Sequence, residues 1–164
     1  MNQISGCETK VKIKLVSPLL KNKIPVPSYA TGGSAAMDLH ACCNEPLIIP
    51  ARGQGRIPTG IAIELPDTNM VALVFARSGL ASKHGISLSN AVGVIDSDYR
   101  GEIICLIKND GDLDFIVNCG DRIAQLGFFP IQRIQWEEVP ELNDTQRGTG
   151  GFGSTGIQSQ KNKD

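Results

Sequence analysis

The sequence has few aromatic residues, almost no charge imbalance and no long apolar run. Aromatic residues make up 5% of the 164 residues, and 16 basic against 17 acidic side chains give a net charge of -1. A broad nucleic-acid surface needs clustered positive charge, so this balance argues against a nucleic-acid partner. No apolar run approaches the roughly 20 residues that cross a bilayer, so we expect no membrane partner.

Histidine and cysteine are also scarce, which limits metal and disulfide chemistry. The sequence has two histidines and five cysteines, and no Cys-x-x-Cys spacing. A zinc site made of these side chains is therefore poorly supported. Residues 1–10 lack the apolar centre of a signal peptide, so we expect reduced thiols and a cytoplasmic protein.

Glycine and proline are plentiful and divide the chain into short segments. The 18 glycines and nine prolines are spread along the sequence, and both residue types disfavour a helix interior. Residues 10–15 alternate lysine with apolar side chains, which is the period of a strand with one exposed face. Further short runs rich in strand-forming residues predict strands at residues 61–65, 71–75, 103–107, 115–117 and 123–129.

These elements predict a single all-β domain, either a sandwich or a barrel. Glycine, asparagine and aspartate clusters predict turns between the strands, the first of them at residues 51–55. One short helix is predicted over residues 78–83, with Ser78 as its cap and Gly85 at its end. No second globular domain is expected.

The C-terminal stretch differs in composition, with five glycines in residues 147–156. Ordering so much glycine costs entropy, which favours a disordered tail. Arg147 and Phe152 are nevertheless the residue types that grip a phosphate and stack on a base. The stretch is neither a P-loop nor a Rossmann fingerprint, because it has no Gly-Lys-Ser/Thr and opens no helix.

Two further stretches allow both a functional and a structural interpretation. Residues 90–102 place Asp96, Asp98 and Tyr99 in one predicted hairpin, where the aspartates either share a face or simply build a turn. Arg77, with the Ser-Gly that follows it, either forms an anion site at a helix start or is a solvated arginine beside a plain N-cap.

Together, five segments resemble, in order, the five signature motifs of the homotrimeric dUTP diphosphatases, or dUTPases. They are residues 34–41 (SAAMDLHA), 76–80 (ARSGL), 90–102 (NAVGVIDSDYRGE), 120–126 (GDRIAQL) and 147–156 (RGTGGFGSTG). The resemblance extends over residues 11–156. One departure is Ala36, where the family usually has glycine, and this small change affects only the local backbone.

The resemblance implies a jelly-roll-like β fold and a homotrimer with three sites at its subunit interfaces. It implies hydrolysis of dUTP to dUMP and pyrophosphate with Mg²⁺, a reaction that keeps uracil out of DNA and supplies dUMP for thymidylate synthesis. Asp96 would be the general base, and Asp38 would hold waters on the metal. Residues 1–146 would form the β domain, and residues 147–164 a lid that closes on the substrate.

The other matched positions would bind the substrate. In the lid, Arg147 would contact the terminal phosphate and Phe152 would stack on uracil. Tyr99 would pack on the sugar and exclude a 2′-hydroxyl. The remaining phosphate-contacting positions are Arg77, Ser78, Gly79 and Gln125. The remaining base-reading positions are Asn90, Val94, Ile95 and Ile104. The remaining lid positions are Gly153, Ser154 and Thr155.

Two alternative functions are compatible with the same fold. A dCTP deaminase would use a glutamate in the predicted hairpin region, where residues 95–101 read IDSDYRG. A non-catalytic nucleotide-binding module would have lost the base or the lid arginine, but both Asp96 and Arg147 are present.

Overall fold

Short strands build most of the computed structural model, which describes residues 9–151. Within those residues it contains eleven strands and one helix. The strands are β1 (Lys12–Leu15), β2 (Met37–His40), β3 (Leu47–Ile49), β4 (Gln54–Pro58), β5 (Ile61–Glu64), β6 (Met70–Phe75), β7 (Ile86–Leu88), β8 (Val92–Ile95), β9 (Ile104–Asn109), β10 (Phe115–Val117) and β11 (Arg122–Pro130). The prediction of an all-β, jelly-roll-like fold with one short helix is confirmed.

All strand pairs in the described part of the chain are antiparallel. The largest sheet has the order β2-β11-β6-β8, and a second sheet has the order β4-β9-β7. Two further pairs join β1 to β5 and β3 to β10. Since β8 has a neighbour on one side only, its other edge leaves backbone N–H and C=O groups unpaired within the sheet.

Branched aliphatic side chains from both larger sheets fill the core. Leu39, Ile57, Ile107 and Leu126 are at most 2% exposed. Burial of each such side chain contributes about 1.5–3 kcal/mol. Their burial fixes the register, because a slip of one residue would turn these apolar side chains away from the core.

The strands missed by sequence patterns are the short or polar ones. β2 carries Asp38 and His40, while β4 carries an arginine and ends in proline. The predicted turn at residues 51–55 is therefore wrong at its end, because β4 begins at Gln54. Pairing with β9 along the whole of β4 outweighs the weak strand propensity of its residues.

The predicted hairpin at residues 90–102 is also wrong. β8 pairs with β6, whereas β9 pairs with β4 and β7 in another sheet. The N–H of Tyr99 donates to the C=O of Asp96 at 3.2 Å, so a tight turn joins the two sheets. Asp96 and Asp98 therefore belong to a turn rather than to one face of an extended strand.

The helix α1 (Ser78–His84) begins where it was predicted, but its cap differs. Arg77, in an extended conformation, is the N-cap residue, and no side chain makes the capping hydrogen bond. Ser78 is already helical, so its prediction as the cap is wrong. Gly85 ends the helix with φ 66°, a left-handed conformation that glycine adopts without strain.

The chain divides into two units, Met1–Arg133 and Ile134–Asp164. The first holds all the strands named above and the helix. In the second, a turn is closed by the N–H of Gly148, which donates to the C=O of Thr145 at 3.0 Å. The predicted division into residues 1–146 and 147–164 stays a prediction.

Candidate functional site: a pocket and an arginine–aspartate cluster

A cavity of about 280 Å³ opens between the two larger sheets. It brings together six of the predicted site residues, which come from the β7–β8 turn, from β8, from the turn after it and from the start of β9. They are Asn90, Val94, Ile95, Asp96, Tyr99 and Ile104. The pocket therefore gathers the residues predicted to read a base and a sugar around one space.

The free edge of β8 gives this pocket its recognition chemistry. Unpaired backbone donors and acceptors along a strand edge can match the hydrogen-bonding edge of a planar ring. Gly93 allows this strand to lie close to β6, since a Cβ there would come within 3.1 Å of the Val74 Cβ. Close packing on one side of β8 leaves the other side open for a ligand.

Asp96 stands at the end of β8 in the wall of the pocket. Its side chain is exposed and forms no ion pair among residues 9–151. A carboxylate in this state is free to accept a proton from a water molecule held beside a ligand.

A second polar group centres on Asp38 in β2. The Nε atom of Arg77 lies 3.0 Å from Oδ1 of Asp38, and Nη1 of Arg122 donates to Oδ2 at 3.2 Å. The Asp38 side chain is 14% exposed. Oδ1 and the Arg77 Nε have no hydrogen-bond partner in the described residues, so this contact is an ion pair without hydrogen-bond alignment. The cluster presents two guanidinium groups balanced by one carboxylate.

Strand register puts Gln125 beside this cluster. In β11, Gln125 is directly opposite Asp38 on one side and Phe75 on the other. Arg77 also donates from Nη1 to the backbone C=O of Arg122 at 3.1 Å, which ties the start of α1 to β11. These residues form a set of anion-binding groups at one end of the four-stranded sheet.

Ser78 and Gly79 follow Arg77 in the first turn of α1. A Cβ at Gly79 would meet no atom within 4 Å, so the space beside this turn is open. The three residues of this predicted phosphate motif are therefore adjacent to one another, and Ser78 and Gly79 are exposed.

His40 is a further member of the Asp38 cluster. Its ring nitrogen Nδ1 is buried and has no hydrogen-bond partner in the described part of the chain. Burial lowers the pKa of His40, the charge of Asp38 opposes this shift, and the charges of Arg122 and Arg77 reinforce it. The imidazole is therefore neutral at pH 7 and adds no positive charge to the cluster.

Asp96 and the Asp38 cluster lie at opposite ends of β6 in one chain. Ile95, which precedes Asp96, pairs with Ala72, whereas Phe75 lies two residues before Arg77. Asp96 is thus level with the start of β6, and about 20 Å of extended chain separates that point from Arg77. One chain alone does not bring the carboxylate and the arginines to the same small ligand.

Arg147 lies in the unit Ile134–Asp164, where its side chain is exposed. Its Nε donates to the C=O of Gly150 at 2.8 Å. The other predicted lid residues, Phe152, Gly153, Ser154 and Thr155, lie outside the described residues.

The implied Mg²⁺ can be tested against the side chains present. Residues 9–151 contain no group of three or more His, Cys, Asp or Glu side chains placed to hold an ion. This suits an ion that keeps its waters and takes other ligands from phosphates, as Mg²⁺ does. Oδ1 of Asp38 is buried beside Arg77, whereas Oδ2 accepts from Arg122 and retains acceptor capacity for a metal-bound water. The residues therefore fit Mg²⁺ held through water.

Sequence reasoning missed several residues at these sites. Arg122 completes the cluster. The sequence could have indicated it, because it lies in the fourth motif, three residues before Gln125. Glu102 and Arg56 line the pocket. No sequence pattern pointed to Arg56, which comes directly after the predicted glycine-rich turn at residues 51–55. It reaches the pocket only because β4 pairs with β9.

Known proteins match this chain over most of its length. The family model described as dUTPase matches residues 22–156. The deoxyuridine 5'-triphosphate nucleotidohydrolase of Desulfitobacterium hafniense (strain Y51) is 52% identical over 149 residues, which are 90% of this chain and 97% of that protein. The one of Hahella chejuensis (strain KCTC 2396) is 46% identical over 146 residues, 89% of this chain and 96% of that protein.

Solved structures of the same fold are also similar. The dUTPase of Staphylococcus bacteriophage 80alpha with dUPNHPP matches with a TM-score of 0.80 and 25% identity, covering 92% of this chain and all of that chain (100%). A mutant dUTPase from phage phi11 of S. aureus, described with a structural Mg(II) ion, has a TM-score of 0.70 and 23% identity over 81% of this chain and 98% of that chain. Within residues 9–151, no helix is long and apolar enough to span a membrane.

Proposed function

The chain belongs to the dUTPase family, and on this premise we propose that it hydrolyses dUTP to dUMP and pyrophosphate. The observation that carries the proposal is the pocket, which gathers six of the predicted site residues around one space with a free carboxylate in its wall. A planar base can lie against the open edge of β8, with Asp96 at the end of that edge. In the proposed reaction, water attacks the phosphorus atom of the phosphate that is attached to the sugar.

Asp96 acts as the general base in this proposal. Water is a weak nucleophile at neutral pH, and a carboxylate that orients it and takes its proton contributes about 10²–10⁴-fold. Arg77, Ser78 and Gln125 bind the phosphates and stabilise the charge that develops on the leaving oxygen. Gly79 leaves room for a phosphate beside the first turn of α1.

Mg²⁺ is the metal proposed, held through water by Asp38. When bound, the ion would neutralise negative charge on the phosphates that opposes attack by water. The structural Mg(II) ion of the phage phi11 neighbour supports a divalent metal in this fold. The two arginines around Asp38 favour contact through water over direct ligation, since they already balance its charge.

The separation along β6 supports a homotrimer with sites at its subunit interfaces. A base and the phosphate-binding groups must act within a few ångströms of one phosphorus atom. With about 20 Å of strand between Asp96 and Arg77 in one chain, we propose that the pocket of one subunit faces the Asp38 cluster of another. Homo-oligomers with closed symmetry can repeat such a contact at each interface.

The lid belongs to the same proposal. Residues 147–164 would close over bound dUTP, with Arg147 on the terminal phosphate and Phe152 stacked on uracil. Such a stack contributes about 1–3 kcal/mol. Gly153, Ser154 and Thr155 would add donors to the phosphates. Residues 1–146 would form the β domain, and a cytoplasmic location would keep the cysteines reduced.

The deaminase alternative requires a free glutamate in the pocket. Among residues 9–151, the only glutamate that lines it is Glu102, and its Oε1 accepts a hydrogen bond from the Gly60 N–H at 2.6 Å. This bond engages one of the two carboxylate oxygens in the fold, which favours the hydrolase.

The test is a substrate panel. The purified chain is incubated with Mg²⁺ and each deoxynucleoside triphosphate in turn, and both pyrophosphate and ammonia are measured. We expect pyrophosphate from dUTP alone. Ammonia from dCTP would instead indicate the deaminase, and binding without any product would indicate the non-catalytic module.

A further inference from the structure

The Tyr99 side chain is held against the backbone of the residues that follow it. Its hydroxyl donates to the C=O of Glu102 at 3.0 Å. A Cβ at Gly101 would come within 2.6 Å of the Tyr99 Cζ, so the ring covers Gly101 and requires glycine there. Tyr99 is 44% exposed, and these contacts give a half-exposed ring one defined position in the pocket wall.

The side chain of Glu102 ties the same backbone to a buried turn. Its Oε1 accepts the N–H of Gly60 at 2.6 Å, in the turn between β4 and β5. Gly60 has φ 73°, and a Cβ there would lie 2.6 Å from the Cys42 Sγ, so the turn is packed on the core. The Gly60 C=O in turn accepts the N–H of Val16 at 2.8 Å. Glu102 thus links the wall of the pocket to a turn that packs closely on the core.

We propose that Glu102 is a positioning residue for sugar discrimination. By fixing its own carbonyl through the Gly60 bond, Glu102 holds Tyr99 where a deoxyribose fits and a 2′-hydroxyl does not. The inference rests on the proposed function, since it takes Tyr99 as the residue that packs on the sugar. A carboxylate suits the task, because hydrogen bonds from N–H groups to an ionised acceptor are shorter and stronger than neutral ones.

Steric exclusion of one hydroxyl depends on the rigidity of the wall. A small outward shift of the Tyr99 ring would admit a ribose without removing any contact to the base or the phosphates. Loss of the brace should therefore raise turnover of UTP relative to that of dUTP.

The experiment compares kcat/KM for dUTP and UTP in four proteins: wild type, Glu102→Ala, Glu102→Gln and Tyr99→Phe. Glutamine keeps an oxygen that accepts from Gly60, whereas alanine does not. Tyr99→Phe removes only the hydroxyl bond to the Glu102 carbonyl. Glu45→Ala, at an exposed position outside the pocket lining, is the matched control. Binding of dUMP and UMP to the same proteins gives a readout without turnover.

We expect the dUTP/UTP preference to fall at least about tenfold in Glu102→Ala and in Tyr99→Phe, and to stay within about threefold of wild type in Glu102→Gln and Glu45→Ala. A Glu102→Ala protein that keeps the wild-type ratio would overturn the proposal. If that variant does not fold, Tyr99→Phe decides in the same way. Failure of the wild type to hydrolyse dUTP would refute the proposed function instead, and the dUMP/UMP binding ratio would still test Glu102.

Discussion

Arg77 and Asp38 form an ion pair across the β2–β11–β6 sheet, with 3.0 Å between Nε and Oδ1. Both side chains are mostly buried, at 23% and 14% exposure. Arg122 occupies the other carboxylate oxygen, so one aspartate holds two guanidinium groups in place. Asp38 therefore orients the arginines that the proposed reaction needs, in addition to its proposed role of holding waters on a metal.

Asp38→Asn should destabilise the protein and weaken its binding of the substrate phosphates. The neutral amide leaves the mostly buried charge of Arg77 and the half-exposed charge of Arg122 without their carboxylate, which should cost about 1–3 kcal/mol of unfolding free energy. Urea unfolding measures that cost, and the KM for dUTP should rise. Asp112→Asn is the control, because it breaks an exposed pair with Arg52 and should cost under about 1 kcal/mol. Equal costs for the two variants would contradict the structural role of Asp38.

Asp96→Asn should remove turnover and retain binding. The amide cannot take a proton from water, so kcat should fall by about 10²–10⁴-fold, while the affinity for dUTP measured by calorimetry stays near that of the wild type. Asp98→Asn, two residues along in the same turn, should keep most activity. If Asp98→Asn were the inactive variant, the base would be assigned to the wrong carboxylate.

Removal of residues 147–164 should abolish most activity without unfolding the protein. The buried residues run from Leu20 to Leu126, so this deletion takes nothing from the core of the described chain. The melting temperature should stay within a few degrees, and kcat/KM should drop by at least about a hundredfold. A shorter deletion of residues 157–164, which follow the last motif, should leave the rate intact. Full activity after the longer deletion would refute the lid.

The cysteines should differ in reactivity, because the thiolate is the nucleophile. Burial raises the pKa of Cys105 to about 12, and the pKa of Cys43 is also raised, chiefly by burial. Cys119 is exposed. Iodoacetamide at pH 8 should label Cys119 in the folded protein and Cys105 only in urea, as peptide mapping by mass spectrometry would show. Because the folded pKa of Cys105 lies above the ordinary value of 9.0, its contribution to stability is complete below pH 9.0 and is lost as pH rises towards 12. Labelling of folded Cys105 at pH 8 would contradict its burial.

Sequence patterns predicted the fold class because the longer strands carry clear apolar runs. β10 has the predicted bounds, β6 begins one residue earlier than predicted, and β11 is one residue longer at each end. β2 and β4 escaped prediction because their strand character comes from partners far along the chain. Local propensity does not report such pairing.

The candidate site was predicted as a set of residues but not as an arrangement. Motif positions identified Asp96, Tyr99 and Arg77. They did not reveal that β8 and β9 lie in different sheets, or that the length of β6 separates Asp96 from the arginine cluster. Those facts depend on strand order, and nothing in the spacing of the motifs encodes it. The roles proposed for Glu102 and Arg122 could be inferred only from the structure, which shows their contacts with Gly60 and Asp38 respectively.

The most direct test of the central claim is complementation between two inactive variants. Asp96→Asn lacks the base and Arg77→Ala lacks a phosphate-binding group, so each alone should be inactive. If the pocket of one subunit works with the cluster of another, co-expressed and co-purified chains should recover about a quarter of wild-type activity from randomly mixed interfaces. A mixture as inactive as the separate variants, with mixed oligomers verified by two affinity tags, would show that no site is shared between subunits.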